Sequence, residues 1–125
     1  MARLSRLMGR GRALEVILSA DDVTGDLAER YGYVNRSLPD SDLDGFVDAL
    51  ATRIASFDKQ TIMDTKRLVN VASLPPDIEI ESGWHACVAS MARPATQQRI
   101  KTLIDRGFCK PGDAENRLGD FVGKR

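Results

Sequence analysis

Arg3-Leu4-Ser5-Arg6-Leu7-Met8-Gly9-Arg10-Gly11-Arg12-Ala13-Leu14-Glu15-Val16-Ile17-Leu18 is the stretch on which the fold turns. Leu4, Leu7, Met8, Gly11, Leu14 and Leu18 recur at i, i+3, i+4, i+7 and so share one stripe of an amphipathic helix, with the arginines in solvent. Gly9 and Gly11 each weaken such a helix by about 1 kcal/mol relative to Ala unless a neighbouring backbone packs closely there. The spacing predicts one helix over the stretch, with its glycines serving close packing.

The rest of the chain keeps the same period. Thr24 is placed to cap a short helix whose Leu27, Ala28 and Tyr31 face inward, and Gly32 suits a left-handed C-terminal cap. Tyr33-Val34-Asn35-Arg36-Ser37-Leu38 reads as one short strand before Pro39. Asp40 or Ser41 caps a helix with Leu43, Phe46, Val47, Leu50, Ile54 and Phe57 as its buried face, and Asp42 and Asp44 suit the positive end of its dipole. Ile62, Met63, Thr65, Lys66, Leu68 and Val69 continue as a further helix. Pro75-Pro76 breaks the chain. Beyond it, Ile80, Trp84, Cys87, Val88 and Met91 keep helical spacing. Pro94 opens a helix bearing Ile100, Leu103 and Ile104 that stops at Gly107, and Leu118, Phe121 and Val122 mark a last short segment. A lone strand leaves its backbone donors and acceptors without a ladder, so it borrows a sheet elsewhere or belongs to a larger fold.

With 125 residues, 42% hydrophobic and 29% charged, the composition is that of a globular protein and excludes collagen-like or wholly disordered classes. Eighteen basic and eighteen acidic residues cancel, which gives no global pull toward nucleic acid or an anionic membrane. Locally the charge is uneven: residues 1–12 carry four arginines and no acid, residues 13–58 three bases against ten acids, and residues 59–125 eleven against eight. An arginine-rich start fits a presequence or a nucleic-acid arm as well as a solvated helix face. Cys87 and Cys109 have no metal-ligand spacing, and reduced thiols in a cytoplasm are expected. No secretory signal and no membrane-spanning run is read.

Two motifs invite chemistry. Asp40, Asp42 and Asp44-Gly45 copy the opening of a calcium-binding EF-hand loop, but the closing twelfth position is Ala51 where a bidentate Glu belongs. An acidic helix N-terminus explains the same aspartates without metal. His85 lies one turn from Glu81 and near Glu79, a partial metal site or an oriented general base, yet also an ordinary solvated helix face. Gly9-Arg10-Gly11-Arg12 lacks the strand and the Lys-Ser/Thr of a phosphate loop. No catalytic residue and no metal site is assembled from these residues.

Taken in order, the segments resemble a known family. Arg3–Leu18 is similar to a helix of the enoyl-CoA hydratase/isomerase (crotonase) superfamily, and Asp22-Val23-Thr24-Gly25-Asp26-Leu27-Ala28-Glu29-Arg30-Tyr31-Gly32-Tyr33-Val34-Asn35-Arg36 resembles its following segment. Pro39, the amphipathic helix to Ser56 and Thr65-Lys66-Arg67-Leu68 match what comes next in that family. Ala20 stands where Gly is usual, Gly25 where Ala is usual, and Tyr33 replaces a common Leu. The resemblance implies a mainly α chain, the helical C-terminal half of a crotonase-like (ClpP/crotonase) α/β fold with one short strand, lacking the N-terminal ββα spiral. It divides into residues 1–72, part of the crotonase core, and 73–125, a capping and trimerisation region.

The same resemblance implies action on acyl-CoA thioesters: hydration, dehydration or double-bond isomerisation through a stabilised enolate. Phe121-Val122-Gly123-Lys124-Arg125 resembles the family's terminal motif, in which the Phe lines the acyl-CoA entrance and the Lys approaches a CoA phosphate. This assigns coenzyme A contacts to Phe121 and Lys124, although a helix end with a cationic last turn accounts for the same residues. The family's oxyanion donors and acid/base carboxylates fall before Met1, so no catalytic residue is expected here and the chain alone is expected to be inactive. Coenzyme A enters as substrate, and no cofactor is implied. The expected partners are further copies (trimer or dimer of trimers in the family), with no nucleic acid and no membrane. A non-catalytic helical interaction module, pairing through the Trp84–Ile104 helices, is the alternative.

Overall fold

The structure, a computed structural model, describes residues 2–123. Helices occupy most of them: α1 (Ala2–Met8), α2 (Arg10–Ser19), α3 (Gly25–Tyr31), α4 (Asp40–Ala55), α5 (Lys59–Ser73), α6 (Asp77–Met91), α7 (Pro94–Asp105), α8 (Asp113–Asn116) and α9 (Leu118–Val122). None of these is long and apolar enough to cross a membrane.

The first expected helix is two. Gly9 adopts φ 81 and ψ 162, a conformation open to residues without a Cβ, and it separates α1 from α2. A Cβ built at Gly9 or Gly11 would meet nothing within 4 Å, so the glycines do not serve close packing. One makes a break, and the other leaves open space. Helix α2 ends on Ala20 at φ 51 and ψ 27, the left-handed cap where the family pattern has Gly.

Local signals at other helix ends acted as read. Gly32 (φ 77) follows α3, with its N–H bonded to Glu29 O and that of Tyr33 to Ala28 O. Gly107 (φ 102) follows α7 with the same double bond pattern, to Ile104 O and from Phe108 to Leu103 O. Both are Schellman closures, in which glycine relieves the Cβ clash of the left-handed turn. Pro75 and Pro76 separate α5 from α6, and Pro94 occupies the first turn of α7. At α4 the cap position is Pro39, without a side-chain hydrogen bond, rather than Asp40 or Ser41. Asp58 caps α5 instead: its carboxylate accepts from Thr61 N at 2.8 Å and from Thr61 Oγ1 at 3.0 Å.

The expected strand is absent; residues 33–38 are irregular, and no strand occurs among the described residues. The donors of this segment are taken up by the preceding helix. Tyr33 and Val34 N–H both point to Ala28 O, and Ser37 N–H donates to Glu29 Oε2 at 2.7 Å. β-propensity needs a neighbouring strand to act on, and none is present.

The contacts divide the chain into two units, residues 25–74 and residues 1–24 with 75–125. Within the latter unit, Arg6 of α1 and Glu79 of α6 form a two-pronged ion pair at 2.8 and 3.0 Å. The guanidinium holds the Glu79 carboxyl below the usual carboxylate range, and the carboxylate raises Arg6.

Burial is thin. The buried hydrophobic residues among those described are Met8, Ala13, Ala28 and Ala114. The face expected to be buried on α4, from Leu43 to Phe57, is aligned as the period requires but stands 39–55% exposed. On α6, Ile78 and Trp84 are each 66% exposed. The helices are formed by their own periodicity, and their apolar faces are uncovered.

Candidate functional site

The tail is where the residues expected to meet coenzyme A fall. Lys124 lies outside the described residues. Phe121 sits on α9, half-buried, at one end of a groove of about 390 Å³ that runs along α7 past Arg99, Thr102 and Leu103.

Two ties hold α9. The first comes from α7: the Arg106 guanidinium lies over the Phe121 ring, 4.5 Å from its centroid, and its Nη1 donates to Phe121 O at 3.4 Å. Arg106 itself is fixed, because its backbone N–H bonds Thr102 O and Leu103 O and the Schellman closure follows directly. The second tie reaches 97 residues back. Gly119 N–H donates to Asp22 Oδ2 at 3.1 Å, and a Cβ at Gly119 would stand 2.7 Å from Asp22 N and 2.9 Å from Asp21 Oδ1. Only a glycine lets α9 approach the Asp21-Asp22 turn this closely. Within α9 and its cap, Arg117 pairs with Asp120.

The groove is therefore apolar and aromatic at Leu103 and Phe121, cationic at Arg99 and Arg106, and carries the Thr102 hydroxyl. An aromatic ring beside cationic side chains suits a ligand with a planar base and phosphate oxygens.

The other sequence motifs do not converge. Asp40, Asp42, Asp44 and Asp48 lie on the continuous helix α4, so the loop that would wrap calcium is replaced by helix. Asp40 and Asp42 fill its first turn, where the helix dipole favours negative charge. His85 and Glu81, one turn apart, are both exposed on α6, and the nearby Glu79 is engaged with Arg6. No group of three potential metal-ligating side chains occurs among the described residues. Cys87 and Cys109 are exposed free thiols.

Arg106, Asp22 and Gly119 were not visible as site residues in the sequence. Arg106 carries one cue, a cation just before the glycine that ends α7, but nothing in the spacing ties it to Phe121.

No protein-family model matches the chain. Among curated proteins, it is 38% identical over 82 residues to a protein of Mycobacterium tuberculosis named as a probable enoyl-CoA hydratase, covering 62% of this chain and 29% of that one. A Mycobacterium leprae protein of the same name is 31% identical over 117 residues, covering 85% of this chain and 40% of that one. The crystal structure of a Streptomyces avermitilis protein assigned as an enoyl-CoA hydratase superposes with a TM-score of 0.93 at 40% identity, covering 98% of this chain and 44% of that one. The chain thus spans less than half the length of each of these relatives. A match at that identity, carried through nearly every described helix, settles the affiliation: the chain belongs to the enoyl-CoA hydratase/isomerase (crotonase) superfamily and corresponds to the helical C-terminal portion of its fold.

Proposed function

We propose that this chain is the helical part of an acyl-CoA enzyme whose chemistry is hydration, dehydration or double-bond migration through a stabilised thioester enolate. In this reading Phe121 and Lys124 meet coenzyme A at the entrance, and the reacting groups belong to the rest of the fold. The chain on its own does not turn over substrate. Its setting is fatty acid metabolism in the cytoplasm, as part of an oligomer.

The observation that carries the reading is the open apolar surface of α4, α5 and α6 in a chain matching 44% of a larger relative. Monomers rarely leave such contiguous faces uncovered, and an enzyme of this class works in a dry, preorganised pocket that the described groove is too open to supply. Loss of a single oxyanion donor costs roughly 10²–10³ in rate, so on this reading the helical part without those donors would show no measurable catalysis.

The test is loss of the conjugated 2-enoyl-CoA absorbance, with this chain alone and mixed with the portion of the Streptomyces relative outside the match. No turnover alone and turnover in the mixture support the reading. Turnover by the chain alone overturns it.

A second reading, a helical interaction module, is favoured by one feature. Helix α6 exposes Ile78, Ile80, Trp84, Val88 and Met91. Helices apolar around much of their circumference are normally buried. A discrete oligomer with no affinity for coenzyme A favours that reading.

A further inference from the structure

We propose that Arg106 is a positioning residue for Phe121. One guanidinium grips both the ring and the carbonyl of the same residue, and so sets the angle at which the ring meets a coenzyme A thioester. The proposal rests on the reading of Phe121 as a coenzyme A contact.

The geometry supports a grip rather than a passing contact. A helix of five residues has too few internal hydrogen bonds to hold an aromatic ring in one orientation. Its N-terminal end has no side-chain cap, and the Asp22–Gly119 bond holds its backbone at Gly119. Arg106 adds a hold at Phe121 itself, on both its ring and its carbonyl. The planar cation stacks on the ring at 4.5 Å while Nη1 donates to the carbonyl at 3.4 Å. A lysine keeps the charge but has no flat fork with which to do both. With its guanidinium engaged by Phe121, Arg106 leaves Arg99 as the neighbouring cation of the groove.

The test uses the full chain carrying 4-fluorophenylalanine at its four Phe positions, with Phe121→Leu assigning the Phe121 resonance. Arg106→Ala is expected to move that fluorine signal toward the free amino acid while leaving those of Phe46 and Phe57 in place. Coenzyme A is expected to shift the Phe121 signal in the wild type. Calorimetry should then show affinity about two- to five-fold weaker in Arg106→Ala, with Arg106→Lys between. In a Phe121→Leu background, Arg106→Ala should cost nothing more.

An unmoved Phe121 signal in Arg106→Ala overturns the proposal. So does an equal affinity loss in the Phe121→Leu background, which would make Arg106 a direct ligand of the anion. A wild-type Phe121 signal that ignores coenzyme A overturns the underlying reading and the proposal with it. That failure is told apart by an Arg106→Ala spectrum that still shows the grip.

Discussion

Replacing Gly119 with Ala probes the contact that seats the last helix. In an open helix this change stabilises by about 0.5–1 kcal/mol, because glycine loses more chain entropy on folding. Here the new methyl would stand 2.7 Å from Asp22 N and 2.9 Å from Asp21 Oδ1, distances that real Cβ contacts do not reach, and a tight 3.1 Å from Asp21 Cα. Two of the three atoms are backbone, so the turn or α9 has to shift. Overpacking of this kind costs about 1–3 kcal/mol, and the shift also weakens the Gly119–Asp22 hydrogen bond, worth about 1 kcal/mol. Against the helical gain, the net expectation is a loss of about 1–3 kcal/mol. Amide hydrogen exchange across residues 118–122 reads this locally, as a fall in protection of roughly 10- to 100-fold. Gly11→Ala, with nothing within 4 Å, is the control and should raise protection in α2. Unchanged or increased protection of α9 in Gly119→Ala would show that the Asp21-Asp22 turn does not lie against Gly119.

Ala20→Gly should stabilise by about 0.5–1 kcal/mol in thermal unfolding, because the left-handed cap at φ 51 costs an L-residue about 1–2 kcal/mol and glycine's chain entropy offsets part of the relief. Gly9→Ala should destabilise by about 1–3 kcal/mol despite the empty space around it, since φ 81 with ψ 162 is glycine territory; circular dichroism should show loss of helix at α1. The Glu79 carboxyl is held low by the Arg6 hydrogen bonds and that of Asp58 by the Thr61 backbone N–H. Both therefore stabilise above the ordinary carboxylate range, and the contribution is lost as pH falls through their native values. Glu79→Gln and Asp58→Asn should each flatten the acid limb of a stability–pH profile, and an unaltered limb counts against the pairing seen here.

What could be read from the chain was what short-range chemistry decides. Gly32 and Gly107 close their helices as their neighbours in sequence dictate, and Pro75-Pro76 breaks the chain. The break at Gly9 was not legible, because the apolar stripe runs through it unchanged and the choice between a weakened helix and two helices rests on what packs nearby. The strand at 33–38 failed for a related reason: its propensity is a preference for a neighbouring strand, and here Ala28 O and Glu29 take its donors first. The α4 face shows the limit most plainly. Periodicity put Leu43, Phe46, Leu50 and Ile54 on one side correctly, but burial is a property of what lies opposite. At the tail, Phe121 came from a resemblance in a short motif, whereas Arg106 and Asp22 lie 15 and 97 residues from their partners, with no periodic signal to join them.

Sedimentation across a concentration series measures most directly whether this surface is unfinished. Along α4 the chain exposes Leu43, Phe46, Leu50 and Ile54, and along α6 Ile78, Trp84, Val88 and Met91, apolar faces of the kind an obligate interface covers. The expected result is mass-action association of the chain with itself, displaced when the remaining portion of a relative's fold is added. A monomer at every concentration, indifferent to that addition and melting in one sharp transition, would contradict the account.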